Sequence, residues 1–242
     1  MSLSIAVVTS TQGRSTITKA IQSVKDQTRK ATHYVFIHGA EYSDKTIPHL
    51  ADDTVAVHLP RANGGGGYGM APVFALAPFA ISEDIICYLD DDNWYEPDHI
   101  ESVVEMIEKH DLGWAYSLRR IVDNEGEFIC EDNCESLGCF PNSHQQYLVD
   151  NSCYVVRTDV ARRHSHAWYV PIISDRSFQL ELMRAKLPAG TTGKHSVNYR
   201  LSKDGTGGMT KEKFFANNEL NQRNYNNTSP WHFYSIFKVQ HD

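Results

Sequence analysis

The chain has 242 residues, 41% of them hydrophobic and 22% charged, with a formal net charge of −7. That length suits one large α/β domain with a substantial core, and the acidic balance speaks against a general nucleic-acid binder, whose phosphate-tracking surface would be basic. The start Met1-Ser2-Leu3-Ser4 has no basic leader character, no apolar run approaches the roughly 18 residues that spanning a membrane requires, and five cysteines without an export signal are expected to be thiols. The expected location is cytoplasmic, with room for a peripheral membrane contact.

Residues 4–11 predict a first strand that ends in hydroxyls, and Ser15 is placed to cap a helix whose Ile17, Ile21 and Val24 share one face. Residues 33–38 and 54–59 predict the second and third strands, and 68–80 a helix. Ahead of that helix, Gly64, Gly66 and Gly69 fit G-x-G-x-x-G, a spacing that lets backbone N–H groups approach a phosphate. An ordinary flexible loop has the same composition. Strands alternating with helices imply a mostly parallel central sheet with helices on both faces.

Residues 85–89 form an apolar, β-rich run that reads as a strand buried on both faces, and it leads straight into Asp90, Asp91 and Asp92. Three adjacent carboxylates repel one another and are costly to desolvate without a cation. Their place at a strand's carboxyl end therefore points to a hard divalent metal, with a solvated turn or a helix cap as the bland alternative. Pro97 suits the first turn of a helix in which Ile100, Val103, Val104 and Ile107 recur at i, i+3, i+4 and i+7, so the acids occupy a strand-to-helix loop.

The run Tyr88-Leu89-Asp90-Asp91-Asp92-Asn93 followed by Pro97 resembles the Asp-x-Asp box of family 2 glycosyltransferases of the GT-A fold, and the likeness extends over residues 4–107. It implies a GT-A-like, Rossmann-related α/β fold and an inverting transfer of a sugar from a nucleotide diphosphate donor, UDP being the first choice. The acceptor would be a hydroxyl of a glycan or lipid-linked carrier. The cofactor implied is Mn2+ or Mg2+, held by Asp92 with Asp90 in support. Thr9, Asp90 and Asp91 fall near the donor, Glu41 or Asp44 stands for the nucleobase contact, and Asn63 and Gly66 lie in a donor-side loop. Two departures from the family pattern are visible. Residues 63–71 lack the usual arginine, and Ser202 stands where relatives often carry a metal-binding histidine, leaving His195 as a substitute.

Residues 113–122 predict a strand and Asp123 to Gly126 a turn into its hairpin partner. They open an acceptor-side half, 113–242, which continues the nucleotide-sugar half, 1–112, in one domain. Cys130, Cys134, Cys139 and His144 are spaced C-x3-C-x4-C-x4-H, which resembles a compact zinc site without its usual spacing, so thiols and no bound zinc are expected. Residues 148–157 predict a further strand and 158–163 a short helix. Asp175 opens a helix carrying Phe178, Leu182 and Met183; the resemblance makes it the general base, an ordinary N-cap being the structural alternative and Asp150 the next carboxylate for the role. Residues 195–200 predict a last strand, and the aromatic tail from Trp231 to Phe237 suits core packing, self-association or sugar stacking. Two rival functions stand beside transfer: a sugar-nucleotide-binding scaffold, and a nucleotidyltransferase, which would want basic residues in a glycine loop that has none.

Overall fold

The computed structural model describes residues 2–62, 70–132, 135–138, 148–169, 173–203 and 208–224. The first half alternates strand and helix: β1 (Ile5–Thr11), α1 (Ile17–Lys25), β2 (Thr32–His38), the single turn α2 (Ser43–Thr46), β3 (Val55–Leu59), α3 (Ala71–Ala80) and β4 (Ile85–Asp90). After β4 come the two-residue β5 (Trp94–Tyr95), α4 (His99–His110), β6 (Trp114–Val122), β7 (Phe128–Glu131), β8 (Tyr154–Arg157), α5 (Thr158–His164), α6 (Ser174–Arg184), β9 (Ala189–Arg200) and α7 (Lys211–Asn224).

One sheet runs through both halves in the order β3-β2-β1-β4-β8-β6-β9-β5, with β7 paired to β6. The expectation of a mostly parallel sheet holds from β3 to β4. Beyond β4 the sheet is mixed: β8 is antiparallel to both β4 and β6, and β9 runs parallel to β6. The hairpin β6–β7 closes through the predicted turn, where Gly126 takes a φ of 94°. Apolar side chains explain the interior strands, since every residue of β1 and all of β4 up to Leu89 are buried. On α4, Ile100, Val103, Val104 and Ile107 form the buried face, as their spacing predicts.

Other local expectations change. Ser15 does not cap α1; the chain winds into the helix through backbone bonds from Ile17 N–H to Arg14 O and from Lys19 N–H to Thr16 O, which satisfy the first donors without a side chain. The described part of α3 begins at Ala71, and residues 63–69, including Asn63 and Gly66, lie outside the described residues. The strand expected over 148–157 is broken by a 3-10 turn, Asn151–Cys153, because the Asp150 carboxylate accepts the Ser152 N–H and pulls the backbone out of the ladder. The last strand is longer than predicted and starts at Ala189. Of the cysteine and histidine cluster, Cys130 is a half-buried thiol on β7, whereas Cys134, Cys139 and His144 lie outside the described residues.

Beneath β4, an aromatic cluster joins the halves. Tyr88 packs against Phe74 of α3 and Trp168, with ring centroids 5.0 Å from each, and Trp168 stacks on Phe178 of α6 at 4.4 Å. Tyr154 of β8 meets Phe178 edge-on at 5.3 Å. These contacts set where α6 begins relative to the end of β4.

Candidate active site

β1 is bonded to β2 on one side and β4 on the other, so the chain leaves the sheet in opposite directions at their carboxyl ends and opens a crevice there. Register brings the two ends level: Ser10 lies opposite Asp90, which leaves Thr11 to meet Asp91. The Thr11 hydroxyl donates to Asp91 Oδ2 at 2.7 Å. From the β1–α1 loop, Arg14 Nη1 approaches Asp92 Oδ2 at 2.6 Å and Asp91 Oδ1 at 3.5 Å. Arg200, the last residue of β9, donates from Nε to the Asp92 carbonyl at 3.1 Å. Asp90 points the other way, between two amides: Asn151 Nδ2 at 2.6 Å and Asn93 Nδ2 at 3.3 Å.

The three carboxylates are underneutralised. Burial, then the charge of Asp92 and that of Asp150, push Asp90 well above the usual carboxylate range, with the Asn151 amide opposing. Burial raises Asp91 too, against Arg14 and Thr11. Asp92 is pushed up to about 6 by burial and by Asp91, although Arg14 and Arg200 pull the other way. Among the described residues no group of three His, Cys, Asp or Glu side chains forms a ready-made metal cage. The donor set still fits a hard divalent ion, because magnesium is commonly held by one or two carboxylates while substrate phosphates and water complete its shell. Asp92 would hold such an ion, since 21% of its side chain remains open; both Asp90 oxygens are already engaged by amides. His195 does not serve as the third ligand: its Nε2 lies 3.3 Å from the Asp132 carbonyl and its Nδ1 3.7 Å from Glu131.

Asp175, the carboxylate expected to act as base, lies at the start of α6. It is the second residue of α6 and no N-cap, since Ile173 precedes the helix and, among the described residues, the carboxylate accepts the adjacent Arg176 N–H at 2.8 Å. Tyr154 anchors the backbone there, its hydroxyl donating to the Asp175 carbonyl at 3.2 Å. Burial and the charge of Asp150 hold the Asp175 carboxyl up at about 6.

The remaining expected residues are less central. Thr9 is fully buried within β1, its hydroxyl tied to His33 Nε2 at 2.9 Å, so its side chain is not offered to the crevice; Thr11, two residues on, is. Glu41 is exposed in the 3-10 turn Ala40–Tyr42 that follows β2, one strand further along the same edge, with its carboxyl against Gly39. Sequence reasoning missed Arg14, Arg200 and Asn151. An arginine three residues past a strand that neighbours an acidic box was a readable signal for Arg14; nothing local marks the other two, which arrive from the end of β9 and from the 3-10 turn before β8.

An open, partly mixed α/β sheet with a carboxylate triplet at its switch point and helices on both sides is the GT-A architecture. The chain belongs to glycosyl transferase family 2, whose family model matches residues 4–152. The fold is similar to that of Staphylococcus aureus TarS residues 1–349 in complex with UDP-GlcNAc, with a TM-score of 0.61 at 13% identity over 83% of this chain and 59% of that one. The UDP complex of the same protein gives 0.57 at 12% identity, over 83% and 61%. An uncharacterized protein of Haemophilus influenzae is 38% identical over 52 residues, 22% of this chain and 35% of that protein. The chain thus spans about three fifths of the TarS fragment and about a third of the Haemophilus protein.

Proposed function

We propose that this protein is an inverting glycosyltransferase that takes its sugar from a nucleotide diphosphate donor, UDP-linked by analogy with the TarS complexes, and transfers it to a hydroxyl of a glycan or lipid-linked acceptor. The observation that carries the reading is the pairing of two unlike acidic centres. One is an underneutralised triplet at the carboxyl end of β4. The other is a single carboxylate, Asp175, held near pKa 6 at the start of α6. Asp92 would hold Mn2+ or Mg2+, which when bound neutralises charge on the departing diphosphate, while Asp90 stays with the Asn151 and Asn93 amides. Arg14 and Arg200 flank that position and supply fixed positive charge to the same end of the donor.

Asp175 supplies the other end. The acceptor oxygen attacks the anomeric carbon as its bond to the diphosphate breaks, and the hydroxyl proton passes to the Asp175 carboxylate. A base poised near the working pH is the efficient choice for that transfer. Attack from the face opposite the leaving group inverts the centre. Titration calorimetry with UDP, with and without manganese, tests the donor side. We expect metal-dependent binding in the wild type that Asp92→Asn abolishes; metal-independent binding of equal strength in both proteins would overturn the reading.

A further inference from the structure

Away from the triplet, the densest buried charge among the described residues surrounds Arg119 on β6. Its guanidinium, 3% exposed, donates from Nε to Asp132 and from Nη1 to Asp150, each at 2.7 Å, and from Nη2 to Glu135. It also lies 4.2 Å from the centre of the Tyr199 ring. One cation against three carboxylates is formally two charges short. Backbone N–H groups of Glu135 and Ser136 donate to Asp132, and that of Ser152 to Asp150, which spreads part of the excess. Apolar packing of the same volume would be at least as stable as such a buried ion cluster, so stability does not account for it.

Its position does. Asp150 begins the turn that continues into Asn151 and Ser152. Asn151 donates to Asp90, and the Ser152 hydroxyl receives the Asp90 backbone N–H at 3.2 Å and the Asn93 amide at 3.1 Å. We propose that Arg119 and Asp150 are positioning residues: the guanidinium fork fixes Asp150, whose turn places Asp90 through Asn151 and Ser152 and leads into Tyr154, whose hydroxyl holds the Asp175 carbonyl. The proposal rests on the reading of Asp175 as the base. The charged groups acting on Asp175 come from three elements: Asp150 raises its affinity for a proton, while Arg176 on α6 and Arg119 on β6 lower it. The Tyr154 hydroxyl engages the Asp175 carbonyl and not its carboxylate.

Asp150→Asn is the informative variant, because the amide oxygen still accepts the Ser152 N–H while the charge and the Arg119 bond to the second oxygen are both gone. Carbon-13 NMR of the labelled Asp175 carboxyl is expected to show its midpoint falling, and the acid limb of kcat should move with it. Arg119→Lys keeps the charge but loses the three-way fork, so donor affinity should fall several-fold while the Asp175 midpoint stays. An unmoved midpoint in Asp150→Asn overturns the proposal whatever the activity, since that measurement needs no acceptor. Unchanged donor affinity in folded Arg119→Lys overturns the role assigned to the fork. A moved midpoint combined with full turnover of Asp175→Asn would uphold the coupling and overturn the base reading alone. Should Arg119→Lys fail to fold, Asp150→Asn decides.

Discussion

Asp175→Asn separates a base from a helix-start residue. Asparagine keeps a short polar side chain at the second helical position and cannot take a proton, so the substitution leaves α6 in place. With an acceptor in hand, turnover is expected to fall at least about 100-fold while donor affinity stays within a few-fold of wild type. In the wild type, kcat should rise with pH through a midpoint near 6, where the carboxyl ionises. Asp92 gives a second pH signature. A carboxyl whose folded pKa is raised from its ordinary value to about 6 binds its proton more tightly when folded, so its contribution to stability declines as pH climbs from about 4 to 6. Buried His33 and His99, lowered to about 4 and about 3 by burial, act in the opposite sense over a similar range. The measurement is therefore a difference: the melting temperature of metal-free Asp92→Asn minus that of wild type should grow between pH 4 and pH 6.5. A constant difference would mean that Asp92 is not raised in the fold.

At the scale of elements, legibility followed locality. Strand β4 and helix α4 were readable because an apolar run and a period of 3.6 are written in consecutive residues, and Asp90 to Asp92 could be placed between them for the same reason. The break in the strand over 148–157 was not readable as such, because it depends on one carboxylate competing for a backbone N–H. Nor was the network of Arg119, whose partners Asp132, Glu135 and Asp150 lie 13, 16 and 31 residues away. The sequence reading pointed to Thr9; register, with Ser10 opposite Asp90, brings Thr11 to the crevice instead. The aromatic cluster is the element-scale device that carries α6 to the site. Trp168→Ala should cost about 3–5 kcal/mol by denaturant titration, and it should lower turnover beyond the stability loss, because Phe178 loses the ring it stacks on three residues from Asp175. Wild-type turnover in the folded variant would show that the cluster serves stability only.

For the whole molecule, the change from parallel to antiparallel pairing at β4 decides how the chain can be divided. The family match stops at residue 152, just before β8, so a boundary there or at residue 112 looks natural on paper. Yet β4 is hydrogen-bonded on one side to β1 and on the other to β8, and its apolar residues are fully buried from both. A fragment ending at 112 would keep Thr11, Arg14 and the triplet but present a bare, apolar sheet edge to its own copies. Expressed alone, residues 1–112 should therefore aggregate, and co-expression with 113–242 should recover a soluble pair by size exclusion. A monodisperse, soluble 1–112 fragment would show that the edge is protected in some other way. In engineering terms, the N-terminal half is not a transplantable cartridge: any chimera that swaps C-terminal halves has to bring a strand equivalent to β8 with it, cut on the far side of the seam.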